Sequence, residues 1–242
     1  MYRLILILAI LAGILFSSLA IVEAQTMDSD ILDDKQKSIV VISAFAANGD
    51  LEKLTPAFTK GLEAGLTINE IKEILVQLYA YTGFPRSLNA ITTLMNVTTE
   101  RQRQGIKDEV GREATPMPAD LDRDAFGART RAKIAGRTTI PLPAGYQIFA
   151  PIIDTFLKEH LFADIFYRDN LDWKSRELST ISTLATIRGA EGQLRFHIGG
   201  AMNMGLTSKQ TGNFVMVMHD EVGQVEGQRA ADALKIVLES RD

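Results

Sequence analysis

The chain has 242 residues, with 26 Lys and Arg against 30 Asp and Glu, and it contains no Cys. A net charge of −4 without a basic cluster argues against nucleic acid or an anionic membrane as the main partner. The lack of Cys excludes a disulfide framework, a thiol nucleophile and a thiolate metal site.

At the start of the chain, Arg3, the apolar run Leu4–Phe16 and the small-residue pattern Val22-Glu23-Ala24 read as a secretory signal over residues 1–24. Gly13, Ser17 and Ser18 interrupt a run of marginal spanning length, so no stable membrane insertion is expected after cleavage. An uncleaved anchor is the alternative. The expected product is exported, periplasmic or secreted, with about 218 residues, enough for one large or two small cored domains.

From residue 30 onward the sequence repeats itself. Asp33, Lys35, Ile42 and Ser43 fall on Asp172, Lys174, Ile181 and Ser182, and after a one-residue slip Gly65-Leu66-Thr67 falls on Gly205-Leu206-Thr207. A unit this long implies a duplicated domain rather than a solenoid. The expected layout is a first repeat over 30–98, a polar linker over 99–144 and a second repeat over 145–242.

Both repeats read as helical. Ile39, Ile42, Phe45 and Ala46 recur at helical spacing, and Asn48-Gly49-Asp50 ends that run. A second helix covers roughly 51–64 and stops at Gly65. Thr67-Ile68-Asn69-Glu70 is a capping box that opens a third. Gly83-Phe84-Pro85 breaks that helix, and another follows from Arg86 to Val97. The linker holds a helix or two between proline-rich turns. An amphipathic pattern over Tyr146–Tyr167 predicts a helix docking on the second repeat. There, helices are expected over 176–187, 193–204, 209–221 and 226–238, with Thr207…Gln210 as a second capping box. No stretch alternates with period two, so the fold is predicted to be all-α.

Tyr79-Ala80-Tyr81-Thr82-Gly83-Phe84-Pro85-Arg86 and the segments Arg176-Glu177-Leu178 and Gln193-Leu194-Arg195-Phe196-His197 resemble the carboxymuconolactone decarboxylase family, part of the alkylhydroperoxidase D-like superfamily. The resemblance covers both repeats and implies two tandem helical domains forming a pseudo-dimer. The redox branch of that family places two cysteines where this chain has Ala190 and Gln193, so a peroxidase reading has no nucleophile.

The decarboxylase branch is matched by Glu177, Gln193 and His197. It implies cofactor-independent, metal-free loss of CO₂ from a small carboxylated lactone, whose ring holds the developing charge. In that reading His197 carries the proton, Gln193 donates to an oxyanion and Glu177 orients the imidazole. Arg86 and Arg195 are candidates to hold a substrate carboxylate, and Tyr81 to line the pocket. Each has a plainer role: Glu177 as a helix N-terminal acid, Arg195 in an exposed pair with Glu191, and Tyr81 as a rim aromatic. His160 is expected at solvent or an interface, while His219, at the position of Tyr79, is a weaker pocket candidate. The first repeat has Ala57 where the second has His197, which predicts one intact site and one degenerate one. The expected partner is a small organic acid. Fusion of two domains implies a compact homo-oligomer, such as a trimer. The rival reading is a non-catalytic helical binding or assembly protein.

Overall fold

A computed structural model of the chain describes residues 30–241, so the expected signal segment 1–24 lies outside the described residues. Among the described residues there are ten α-helices, two π-helical segments and no strand. No helix among them is long and apolar enough to cross a membrane.

The first repeat comprises α1 (Asp34–Asn48), α2 (Leu51–Glu63) and α3 (Ile68–Arg103). Asp33 caps α1 through a capping box with Gln36, and Thr67 caps α3 through one with Glu70. Each box satisfies two backbone donors that a helix start would leave orphaned. Within α3 the backbone breaks at Gly83 (φ 79°, ψ 164°), a conformation open to glycine but strained for any residue with a Cβ. Pro85 then restarts the helix without needing an amide donor.

The second repeat repeats the plan as α7 (Trp173–Thr186), α8 (Glu191–Asn203), α9 (Ser208–Val217), a π-helical turn (Met218–Val222) and α10 (Gln224–Glu239). Between the repeats lie α4 (Arg123–Ile134), the short α5 (Tyr146–Phe149) and α6 (Pro151–Thr155), and a π-helical segment (Phe156–Ile165) that packs along α4. The segment expected to form one docked helix over Tyr146–Tyr167 is therefore broken into three pieces. Of its large apolar residues only the C-terminal ones are buried, with Leu161, Phe162, Ile165 and Phe166 covered, while Phe149, Ile152 and Phe156 face outward. Periodicity reported an apolar face there but not that the chain itself leaves half of it uncovered.

At the centre, α1 and α7 cross antiparallel. Every residue of Ile39–Ala47 and of Ser175–Thr186 is buried, as expected for helices enclosed on all sides. The Ser43 hydroxyl donates to Ser179 Oγ at 2.9 Å, and the Ser182 hydroxyl donates to the Val40 carbonyl. Because Ser182 is the counterpart of Ser43, and Ser179 that of Val40, these are one contact made twice about a pseudo-twofold axis. The tandem all-α pseudo-dimer is thus the observed architecture.

The two repeats are also locked by a buried charge. Arg176 on α7 has no solvent exposure. Its Nη2 donates to Glu73 Oε1 of α3 at 2.9 Å, and its Nη1 to Gln77 Oε1 at 3.1 Å. Arg168 also binds both Glu73 oxygens, at 2.8 and 3.0 Å. Burial pulls the Arg176 pKa down, and the Glu73 carboxylate opposes that pull. Glu73→Ala should therefore lower stability by about 3–5 kcal/mol, because it leaves a buried cation without its carboxylate. Urea denaturation tests this. Glu73→Leu combined with Arg176→Met should recover most of the loss, and a cost below about 1 kcal/mol for Glu73→Ala would assign the network no structural weight.

Candidate functional site

Residues 73, 77 and 81 stand one turn apart on α3 and face residues 176, 177 and 180 on α7. Gln77 Nε2 donates to Thr180 Oγ1 at 3.1 Å, so the interlock continues toward Tyr81. One turn further along, Tyr81 of the first repeat meets His197 on α8 of the second, edge to ring, with centroids 5.7 Å apart. Phe196 packs edge-on against the same imidazole at 5.1 Å.

His197 Nδ1 lies 2.8 Å from Glu177 Oε2, and both side chains are buried. A carboxylate at this distance accepts a hydrogen bond from Nδ1–H, which fixes that tautomer and leaves Nε2 as the ring's free nitrogen. The other Glu177 oxygen, Oε1, is buried and has no hydrogen-bond partner, and neither has the Tyr81 hydroxyl. Buried polar atoms are normally satisfied, so two orphans beside one imidazole mark a place built to receive polar atoms. Burial first, then the charge of Glu177, pushes the Tyr81 pKa up. Thr180 and Gln77 lie close enough to pull it back, without meeting hydrogen-bond geometry at the phenol oxygen. Tyr81 is consequently a neutral donor and not a base.

The central segment closes the site from above. Ile134, the last residue of α4, is fully buried, and its carbonyl accepts a 2.8 Å hydrogen bond from Asn203 Nδ2 on α8. The close approach needs Gly200: a Cβ there would stand 2.6 Å from Ile134 Cγ2 and 2.9 Å from Glu177 Oε2. Beside this contact runs a groove of about 430 Å³, lined by Phe196, Gly200, Asn203, Arg137, Arg195 and Arg241 among others. Phe196 and Gly200 thus border both the Glu177–His197 pair and the groove. Arg241 is held by the Gly199 carbonyl and Asn203 Oδ1, each at 2.7 Å.

Of the residues singled out from sequence, the structure brings Glu177, His197 and Tyr81 together. Gln193 is exposed one turn before His197 and makes no hydrogen bond to the pair. Arg195 lines the neighbouring groove. The expected Arg195–Glu191 ion pair is not formed; Glu191 instead accepts from the Gly189 amide at 3.3 Å. Arg86 is exposed and packs over Gly49 at the end of α1, with no hydrogen bond to the pair. His160 and His219 are half exposed, and each sits 2.9 Å from an aspartate, Asp164 and Asp220.

Sequence reasoning missed Glu73, Gln77, Arg176 and Thr180, and also Arg137 and Arg241. Polar residues at one-turn intervals inside an otherwise apolar helix were the available signal for the first four. Among the described residues, no group of three or more His, Asp or Glu is arranged to hold a metal ion.

The model of the carboxymuconolactone decarboxylase family matches residues 16–94 and 153–236. The chain belongs to this family. The two matched regions cover most of the two structural repeats, ending within α3 and α10, and α4 lies outside both. An uncharacterized protein of Methanocaldococcus jannaschii is 24% identical over 86 residues, spanning 36% of this chain and 80% of that protein. A single match of that length fits a relative about one repeat long.

Gly200→Ala should be destabilising by about 1–3 kcal/mol, because the added methyl would crowd both Ile134 and Glu177. A thermal melt checks it, and an unchanged melting temperature would show that α4 does not press on the pair.

Proposed function

We propose that this family member is a cofactor-independent acid–base enzyme of the lyase type, acting on a small carboxylated lactone or a related organic acid. The observation that carries the reading is the buried Glu177–His197 pair with two unsatisfied polar atoms, Glu177 Oε1 and Tyr81 Oη, beside it. An acid and a base held together with spare hydrogen-bonding capacity can move a proton and steady the charge that appears as it moves.

In this reading the substrate carboxylate lies in the arginine groove, oriented by Arg195 with Arg137. Loss of CO₂ leaves the bonding electron pair in the lactone's conjugated carbonyl system as an enolate. The Tyr81 hydroxyl donates toward the developing oxyanion. Imidazolium Nε2–H of His197 then protonates carbon, while Glu177 holds Nδ1–H and stabilises the charged ring before it loses its proton. Solvent restores that proton, so the cycle needs no external oxidant or reductant. Thiol-based peroxide chemistry, found in the wider superfamily, is disfavoured by the absence of Cys.

His197→Ala should lower kcat/KM on a responsive lactone acid about 10²- to 10⁴-fold, the usual worth of a positioned general acid. Arg195→Ala should chiefly raise KM. Tyr81→Phe should chiefly lower kcat. A panel of small carboxylated lactones and hydroxy acids, followed by CO₂ release, supplies the measurement. Equal turnover by wild type and His197→Ala would overturn the assignment. A ligand that raises the melting temperature without turnover would instead favour the binding-protein reading.

The proposal extends to an exported homo-oligomer. Export rests on the apolar run at residues 4–16. Association with a second copy of the chain is supported by the outward-facing Ile148, Phe149, Ile152 and Phe156 on the arm that contains α5 and α6. Light scattering should return a mass above that of one chain, and Phe149→Asp with Ile152→Asp should reduce it to one. A wild-type monomer would reject this part alone.

A further inference from the structure

We infer that the degenerate half of the duplication is a second ligand site, and that its ligand is a small aliphatic zwitterion of the α-amino-acid class. The position is set by the pseudo-twofold axis. A cavity of about 350 Å³ is lined by Asp34, Lys37, Ser38, Val41, Ala57, Lys60, Glu63, Ala64 and Glu221. Carried across the repeat, Lys37, Ser38 and Val41 are the counterparts of Arg176, Glu177 and Thr180. Ala57 and Lys60 stand for His197 and Gly200, and Glu221 stands for Tyr81. The cavity is therefore the symmetry mate of the Glu177–His197–Tyr81 site.

Three changes open it. Glu→Ser and His→Ala remove the side chains that fill the intact site. The lid provided there by α4 and Ile134 packs on α8, and the equivalent face of α2 carries Lys60 where α8 needs Gly200. The interlock is gone as well: the counterparts of Glu73 and Gln77 are Asn213 and Val217, and Asn213 Oδ1 instead accepts from the Leu32 amide at 3.0 Å. Lys37 is thereby released from the buried role of Arg176 and sits at the cavity wall, 3.3 Å from Asp34.

The lining chooses the ligand. Lys37 is matched by Asp34, and Glu63 by Arg101 at 3.3 Å. Lys60 and Glu221 form no ion pair with each other or with any other described residue. One cation and one anion are thus left facing the same space, over a floor of buried Val41 and Ala57. With two Lys against one Asp and two Glu, the lining is net negative, which opposes a dianion. A lone ammonium ion would leave Lys60 unmatched. A molecule with both charges and a short aliphatic side chain meets Lys60, Glu221 and the floor together.

This inference does not depend on turnover at His197. Full-length protein with ¹³C-labelled Ala and Val methyls, titrated with L-valine and L-leucine, should show saturable shifts at Val41, Ala57 and Ala64. Lys60→Ala and Glu221→Gln, both at exposed positions, should each weaken binding about tenfold. Isovalerate and isobutylamine, which carry one charge each, should bind more weakly than the amino acids. The site is rejected if these methyls do not shift up to the solubility limit. It is rejected equally if the single-charge analogues match the amino acids, if neither variant changes the affinity, or if the shifts cluster around His197 instead.

Discussion

A guanidinium with no access to water is the constraint on which the arrangement of this molecule depends. Burying Arg176 is tolerable only if Glu73 and Gln77 approach it from the other repeat with good geometry, and that demand fixes how α3 lies on α7. Hydrophobic contacts alone would let two packed helices slide by a fraction of a turn at little cost. The network does not, because a small slip would leave a charge unpaired in a dry interior. Tyr81 follows Gln77 by one turn, and Glu177 follows Arg176 by one residue. The register that pairs Arg176 with Glu73 and Gln77 is therefore the register that sets Tyr81 against His197. Stability and site geometry share one set of side chains.

The asymmetry between the repeats has the same origin. A symmetric pseudo-dimer would carry two interlocks and two sites, yet among the described residues only one buried carboxylate–imidazole pair is present. Where Glu73 and Gln77 have become Asn213 and Val217, no partner remains for a buried cation, and the equivalent position holds Lys37, whose flexible stem reaches toward solvent. Serine contacts between α1 and α7 survive on both sides of the axis because small residues at a helix crossing are needed whichever chemistry is kept. Packing preserved the symmetry at the centre while chemistry departed from it at the two ends.

What could be read from sequence follows from how local each cause is. The capping boxes at Thr67 and Thr207 and the break at Gly83 depend on neighbours within a few residues, and they formed where the sequence placed them. Duplication and family resemblance singled out Glu177 and His197, but only tertiary structure shows Tyr81 crossing from the other repeat. In the sequence Arg176 reads only as part of the family motif, and its burial goes unpredicted because an arginine in a helix is ordinarily expected at the surface. The Glu191–Arg195 spacing suited an ion pair, yet Glu191 turned back to the Gly189 amide at the start of its helix. Over Tyr146–Tyr167 the periodicity was real, but a periodic face does not say whether its cover comes from the same chain.

The segment between the repeats gains its meaning from the site. The family model passes over residues 95–152, and the polar composition there suggested a connector. Its helix α4 nevertheless sets Ile134 onto Gly200, one helical turn beyond His197 and in contact with Glu177. Water kept off a carboxylate–imidazole pair strengthens every electrostatic interaction within it, so this lid bears on the proposed site as much as on the fold. Among the described residues one such helix is present, and it covers one of two equivalent faces. The covered face kept the buried acid and imidazole, whereas the uncovered one carries exposed charges around an open cavity. A single insertion between two copies of one domain thus supplies a physical reason for their different fates.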